Sequence, residues 1–179
     1  HSWGEFLVAH GYVDSTEYTK KNDRFFVDYN KGKLDIHAYL EFSLDILAKI
    51  PMAELRLLRA TFINEYIIPM QLPKARALLK KHRDTGDHTL IITSTNRFIV
   101  EPICEILGVK DILATELEQK GGKFTGKVKG IPAFGEGKVH HLNAWLQDKQ
   151  LTLHRSSFYP ASINALPLML KVDKPIAVD

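Results

Sequence analysis

The chain has 179 residues, room for one ordinary domain or for a core with a smaller appendage, and its 45% hydrophobic and 25% charged residues are those of a globular protein. A formal net charge of +3, with Lys and Arg scattered rather than striped, argues against nucleic acid as the main partner, which needs a concentrated basic footprint. No apolar run approaches the ~20 residues of a membrane span, and a single cysteine, Cys104, excludes an internal disulfide.

Residues 1–70 read as helical throughout. Trp3, Phe6, Leu7 and His10 recur at helical spacing, and Gly11 stops that segment. A second helix is predicted over 15–29, with Ser15 as its N-cap and Tyr18, Phe25, Phe26 and Tyr29 along it. Lys31-Gly32-Lys33 is a turn. A third helix over 35–48 places Ile36, Tyr39, Leu40, Leu44 and Leu47 on one face, and a fourth over 53–66 is bounded by Pro69. No strand is expected here, and the aromatics are read first as the core of a helical bundle.

From Pro73 the pattern changes. Helices are predicted over 74–83, 97–107 and 137–149, the second stopped by Gly108 and the third turning Val139, Leu142 and Leu146 inward. Between them lie short apolar strands at 89–92 and 111–115, and a Gly- and Lys-rich excursion at 120–129 that folds as a hairpin about Gly121-Gly122. A third strand is expected over 151–159, a helix opening at Leu166-Pro167-Leu168, and a fourth strand over 175–178. Apolar strands alternating with helices are the signature of a parallel sheet covered on both faces.

Ligands of such sheets bind beyond the carboxyl ends of the strands, which singles out three places. Thr93-Ser94-Thr95-Asn96 offers hydroxyls and backbone N–H groups at a strand-to-helix turn, the makings of an anion site. Helix capping by Thr95 or Asn96 needs the same residues, and spacing does not separate the two. Lys138, in Gly135-Glu136-Gly137-Lys138, opposes the dipole of the helix it opens, a conflict that a nearby anion would relieve; a solvated surface lysine is the plain alternative. The third place is the loop within 156–170, where Pro160, Ala161, Ser162, Ile163, Asn164 and Ala165 supply no carboxylate. His140, His141 and His154 lack metal-ligand spacing and are read as surface or packing residues, and Cys104 as core.

Taken together, these residues resemble the haloacid dehalogenase superfamily, most closely its phosphoserine-phosphatase-like hydrolases with a helical cap. The resemblance runs over nearly the whole chain. It rests on Trp3-Gly4-Glu5-Phe6, Pro73-Lys74-Ala75-Arg76, His82 with Gly86-Asp87, the Thr93 to Phe98 stretch, Phe124-Thr125-Gly126, Glu136-Gly137-Lys138 and the Phe158 to Leu168 loop. It implies an α/β fold with a Rossmann-like parallel sheet over 71–179 and an α-helical cap over 1–70. It also implies attack on a phosphomonoester by an aspartate, a second aspartate as acid and base, and Mg²⁺ held by further acids. On this resemblance Thr93 and Ser94 bind phosphate, Lys138 steadies nucleophile and phosphate, Asn164 lies near both phosphate and metal, and Trp3 and Phe6 line the substrate side of the cap. The implied partner is a small phosphorylated molecule in the cytoplasm, with no nucleic acid and no membrane; a homo-oligomer is left open.

Two departures set an expectation of inactivity. The implied first motif, Asp-x-Asp-x-Thr, would fall a few residues before Trp3, ahead of His1. Ala161 and Ala165 occupy the positions of the implied fourth-motif aspartates, so no metal ligand is expected there. Loss of a nucleophile alone costs about a million-fold in a serine hydrolase. The alternative is a non-catalytic relative that binds phosphate or a phosphorylated ligand, or serves as an interaction protein; a third reading is that the alanines are engineered. Residues upstream of His1 are also expected, because a missing central strand would leave backbone groups unpaired at ~1–3 kcal/mol each.

Overall fold

The computed structural model describes residues 1–176. Four helices come first: α1 (Ser2–Ala9), α2 (Ser15–Asn30), α3 (Ile36–Lys49) and α4 (Met52–Phe62). Aspartates start two of them: Asp14 accepts from the N–H groups of Thr16 and Glu17, and Asp35 from those of His37 and Ala38. Ser15, expected as the N-cap of α2, is therefore its first helical residue; the Asp14 carboxylate fills the cap one position earlier. The fourth helix is also shorter than its periodicity suggests. After Phe62 the chain widens into a π-turn over Ile63–Ile67 and tightens over Ile68–Met70, because Pro69 denies the backbone an N–H.

Left-handed Gln71 and Leu72 then hand the chain to α5 (Pro73–Asp84). The α/β half follows with β1 (Leu90–Asn96), α6 (Arg97–Leu107), β2 (Asp111–Thr115), β3 (Leu117–Lys120), β4 (Lys123–Val128) and α7 (Glu136–Lys149). It closes with β5 (Ser157–Phe158), α8 (Leu166–Met169) and β6 (Lys174–Pro175). Strands β1 and β2 pair in parallel from Leu90 opposite Asp111 to Asn96 opposite Thr115, with an irregularity between Ile92 and Asn96. Residues 93–95 thus bow out of the ladder at its carboxyl end. The β3–β4 hairpin turns on Gly121 and Gly122, both at positive φ, as a two-residue hairpin loop demands.

The expected strand over 151–159 shrinks to the two residues of β5, paired in parallel with β6. Leu151 N–H is spent on Leu146 O, closing the end of α7, and Ser156 N–H folds back to Leu153 O around left-handed Arg155. Helix capping and a tight turn therefore consume the segment before a ladder can form. Of the strand expected over 175–178, Pro175 alone is in β6, which begins one residue earlier at Lys174; residues 177–179 lie outside the described residues. Among the described residues, no hydrogen-bonded strand joins the β1–β2 pair to the β5–β6 pair.

The largest buried cluster crosses between the two halves. Phe6, Leu7, Leu44, Leu55 and Phe62 of the helical half pack with Ile99, Leu117 and Phe124 of the α/β half. Arg59 reinforces the junction, donating to Phe98 O at 2.8 Å with its guanidinium 4.5 Å from the Phe98 ring centroid. A second cluster joins Val139, Leu142 and Leu168 to Leu90 and Ile92, fixing α7 and α8 against the sheet. No helix among the described residues is long and apolar enough to cross a membrane.

Candidate functional site

Where the helical half meets the carboxyl end of β1 there is a cleft of about 360 Å³. Its wall is aromatic, with Trp3 from α1, Phe25, Phe26 and Tyr29 from α2 and Tyr39 from α3; Ser94, Thr95 and Asn96 form its polar edge. Trp3 lines the cleft, stacked on Phe6 at 5.3 Å and edge-on to Phe62 at 5.2 Å. Phe6 is fully buried behind it and belongs to the core. Tyr18 packs on Phe42 instead of facing the cleft.

The bowed turn after β1 is internally organised. Thr93 Oγ1 accepts from Thr95 N–H at 3.1 Å, and Asn96 Oδ1 caps α6 by accepting from Ile99 N–H at 3.0 Å. Capping and an open strand-end turn therefore coexist in the same four residues. Behind the turn sits Thr115, fully buried. Its hydroxyl donates to Ser94 O at 3.0 Å and accepts from Ala133 N–H at 3.1 Å. One side chain thus ties the end of β1, the end of β2 and the loop leading into α7. Thr115 was not singled out from sequence; its only signal is a lone hydroxyl ending the apolar strand 111–115.

That loop delivers Lys138. Gly137 is demanded by the backbone, since a Cβ there would stand 2.0 Å from Pro132 O. The approach leaves Lys138 on the first turn of α7 with only 7% of its surface exposed. No hydrogen bond or ion pair to its ammonium exists among the described residues, and burial alone pushes its pKa down. A buried cation at the positive end of a helix is doubly unfavourable without an anion.

The loop of residues 159–165 is held at both ends. Tyr159 hydroxyl and His82 Nε2 share a hydrogen bond of 2.9 Å, and His82 Nδ1 lies 2.6 Å from Asp87 Oδ2. The bond from His82, joined by one from Thr85, holds the Asp87 carboxyl below its usual range. At the other end, Asn164 Nδ2 donates to Tyr29 O at 2.9 Å. Ala161 is exposed and Ala165 buried. His141 Nε2 lies 2.6 Å from Ile131 O and His154 lies 3.9 Å from Asp173, both away from the cleft. Cys104 is buried, and burial raises its thiol pKa to about 11, which makes it no nucleophile.

Ser94 lines the cleft, whereas Thr93, Lys138 and Asn164 lie outside its lining. A helical half folded over the strand ends of a parallel α/β layer, with a hydroxyl-rich turn there and a buried lysine on the helix that the Thr115 bridge ties to that turn, is a layout suited to handling phosphate. The chain belongs to the haloacid dehalogenase-like hydrolase family, whose model matches residues 1–161. It is 41% identical over 183 aligned positions to a histidinol-phosphatase of Neisseria meningitidis, covering 100% of this chain and 82% of that protein. The phosphoserine phosphatase SerB1 of Mycobacterium tuberculosis is 28% identical over 145 residues, spanning 81% of this chain and 47% of its own length. Among solved structures, a Bordetella pertussis protein of unknown function superposes with a TM-score of 0.89 at 35% identity, over 98% of this chain and 81% of its own. A substrate-bound phosphoserine phosphatase shares the fold, with a TM-score of 0.69 at 19% identity over 99% of this chain and 78% of its own.

Phosphatases of this family generally use Mg²⁺, a hard cation that takes oxygen ligands, carboxylates above all. Among the described residues no group of three or more His, Cys, Asp or Glu side chains is placed to hold a metal. Positions 161 and 165 are alanine, with no side-chain oxygen. The residues present do not fit the ion.

Proposed function

We propose that the helical half, residues 1–70, is a cap over an anion site of the α/β half, residues 71–179, and that the cleft between them takes small phosphomonoesters. Phosphate is held by the Thr93 hydroxyl, the Ser94 backbone N–H and the Lys138 ammonium. The observation that carries this reading is Lys138, buried at a helix N-terminus with no counter-charge among the described residues. An anion offsets both its desolvation and the helix dipole. Thr115 supports the reading by joining the Ser94 turn and the loop before Lys138 on one frame. The cleft has room for a small alcohol, and its aromatic wall suits an apolar or ring-bearing one.

Turnover by the family's route needs a carboxylate to attack phosphorus while the ester P–O bond breaks and the alcohol leaves with a proton; water then releases phosphate from the aspartyl-phosphate. No carboxylate lines the cleft among the described residues. On this reading the described residues bind the ester without hydrolysing it. The second reading, hydrolysis through an aspartyl-phosphate, is favoured by the similarity to a histidinol-phosphatase and a phosphoserine phosphatase. Histidinol phosphate and phosphoserine are the first esters to try, beside inorganic phosphate. Calorimetric titration with each, and an assay of released phosphate with and without Mg²⁺, tests the choice. Binding without release is expected. Absence of binding refutes the site, and Mg²⁺-dependent release favours the second reading.

A further inference from the structure

Asn164 sits on the α/β half, yet its side-chain amide reaches the helical half. It is 9% exposed and donates from Nδ2 to the carbonyl of Tyr29, 135 residues away in sequence, at 2.9 Å. Tyr29 lies in the last turn of α2, its carbonyl also accepts from Gly32 N–H at 3.1 Å so that the Asn164 amide takes its second lone pair, and Tyr29 lines the cleft. Beside this bond a second contact forms. Gly32, at φ +67 in the turn between α2 and α3, lies against Ile163, and a Cβ on Gly32 would meet Ile163 Cγ2 at 3.0 Å. On its other side Asn164 is anchored firmly, since Ala165 is 2% exposed and Leu168 of α8 is fully buried against α7.

We infer that Asn164 is a positioning residue that latches the cap over the cleft through the Tyr29 carbonyl, and so sets how bulky an alcohol the cleft admits. The bulk-sensing half of this rests on the phosphomonoester reading above; the latch itself does not. A donor is required at this position, because the carbonyl end of a helix repels negative charge. Asparagine meets that need, whereas an aspartate would set its carboxylate against the Tyr29 oxygen. The amide engaged on Tyr29 holds the cap and does not serve as a phosphate contact in this arrangement.

Spin labels at Arg24→Cys on α2 and Gln147→Cys on α7, both exposed positions, report the cap-to-core distance by pulsed electron resonance. Asn164→Ala is expected to lengthen and broaden the distance distribution, and Asn164→Asp to do so further. Gly32→Ala, which wedges the same joint from the cap side, reproduces the effect with Asn164 intact. In calorimetry, Asn164→Ala keeps inorganic phosphate affinity within about two-fold. It shifts the ratio of affinities for benzyl and naphthylmethyl phosphate by roughly five-fold or more, the worth of one net hydrogen bond. An unchanged distance distribution overturns the latch. Equal loss of affinity for inorganic phosphate and for both esters overturns it too, by making Asn164 a phosphate contact. If the wild-type chain binds none of these ligands, the phosphomonoester reading falls, and the distance measurement alone decides the latch.

Discussion

Replacing Lys138 by methionine separates a ligand-binding lysine from a structural one. The two side chains are of similar length, so Lys138→Met keeps most of the packing at the start of α7 and removes the charge. In the folded protein Lys138 is 7% exposed as a residue, and its ammonium has no partner among the described residues. Taking a charge largely out of water costs about 1–3 kcal/mol, a large share of the ~5–15 kcal/mol that holds a typical domain together. The variant is therefore expected to be more stable than the wild type by about 1–3 kcal/mol at neutral pH. For a chain of this size that raises the melting temperature by about 2–12 °C. The pH dependence has a definite sign. Burial lowers the folded-state pKa below the ordinary 10.5, so the destabilisation is full below the folded value and fades as pH rises toward the unfolded one. The stability gap between variant and wild type should close between neutral pH and about 10.5. Phosphate affinity should fall by roughly ten-fold or more, as for loss of a charge-assisted hydrogen bond. Urea unfolding and thermal melts across that range, with a phosphate titration at neutral pH, check all three. A variant less stable than the wild type, or one that binds phosphate unchanged, refutes the reasoning.

Other perturbations follow from the same geometry. Thr115→Val keeps the shape of a fully buried side chain but strands Ser94 O and Ala133 N–H; urea unfolding should show a loss of about 2–4 kcal/mol, and a loss under about 1 kcal/mol would remove Thr115 from its linking role. Asp87 has a depressed folded pKa, so it contributes stability above its ordinary 3.8 that is lost as pH falls through the folded value. The difference in melting temperature between wild type and Asp87→Asn should accordingly be present at neutral pH and vanish in acid, and a difference that persists there would contradict the His82 bond as its source. Because only a bound ligand raises the melting temperature, Mg²⁺ or its removal by a chelator should leave the 179-residue chain unmoved; a Mg²⁺-dependent rise would show that ligands exist beyond those the described residues supply.

What the sequence made legible was local. Helix α6 could be read to the residue because Asn96 and Gly108 punctuate its two ends, one accepting the Ile99 N–H and the other adopting φ +71. The β3–β4 hairpin was equally readable from Gly121-Gly122, whose conformation few other residues adopt cheaply. The strand expected over 151–159 failed because its apolar residues answered to neighbours that periodicity does not register: Leu151 closes the helix before it, and Arg155 turns the chain. Thr115, and the contact Asn164 makes with Tyr29, were beyond reach for a further reason. Each acts through a partner that only the tertiary fold brings near, Ser94 and Ala133 for one and the Tyr29 carbonyl for the other.

Lys138 stands between these cases. Its position at a helix start was visible in the sequence as a conflict with the dipole, but a solvated lysine would have resolved that conflict at no cost. Burial removes the easy resolution. The Gly137 approach to Pro132 and the Thr115 bridge hold a cation where local charge and local dielectric both oppose it. A folded chain keeps such a residue either because packing compensates or because a ligand does. Among the described residues no acid forms an ion pair with Lys138, and burial is the one cause of its lowered pKa. Stability and anion affinity at this one position should therefore move in opposite directions when it is changed, a relation that a surface lysine or a packed structural one would not produce.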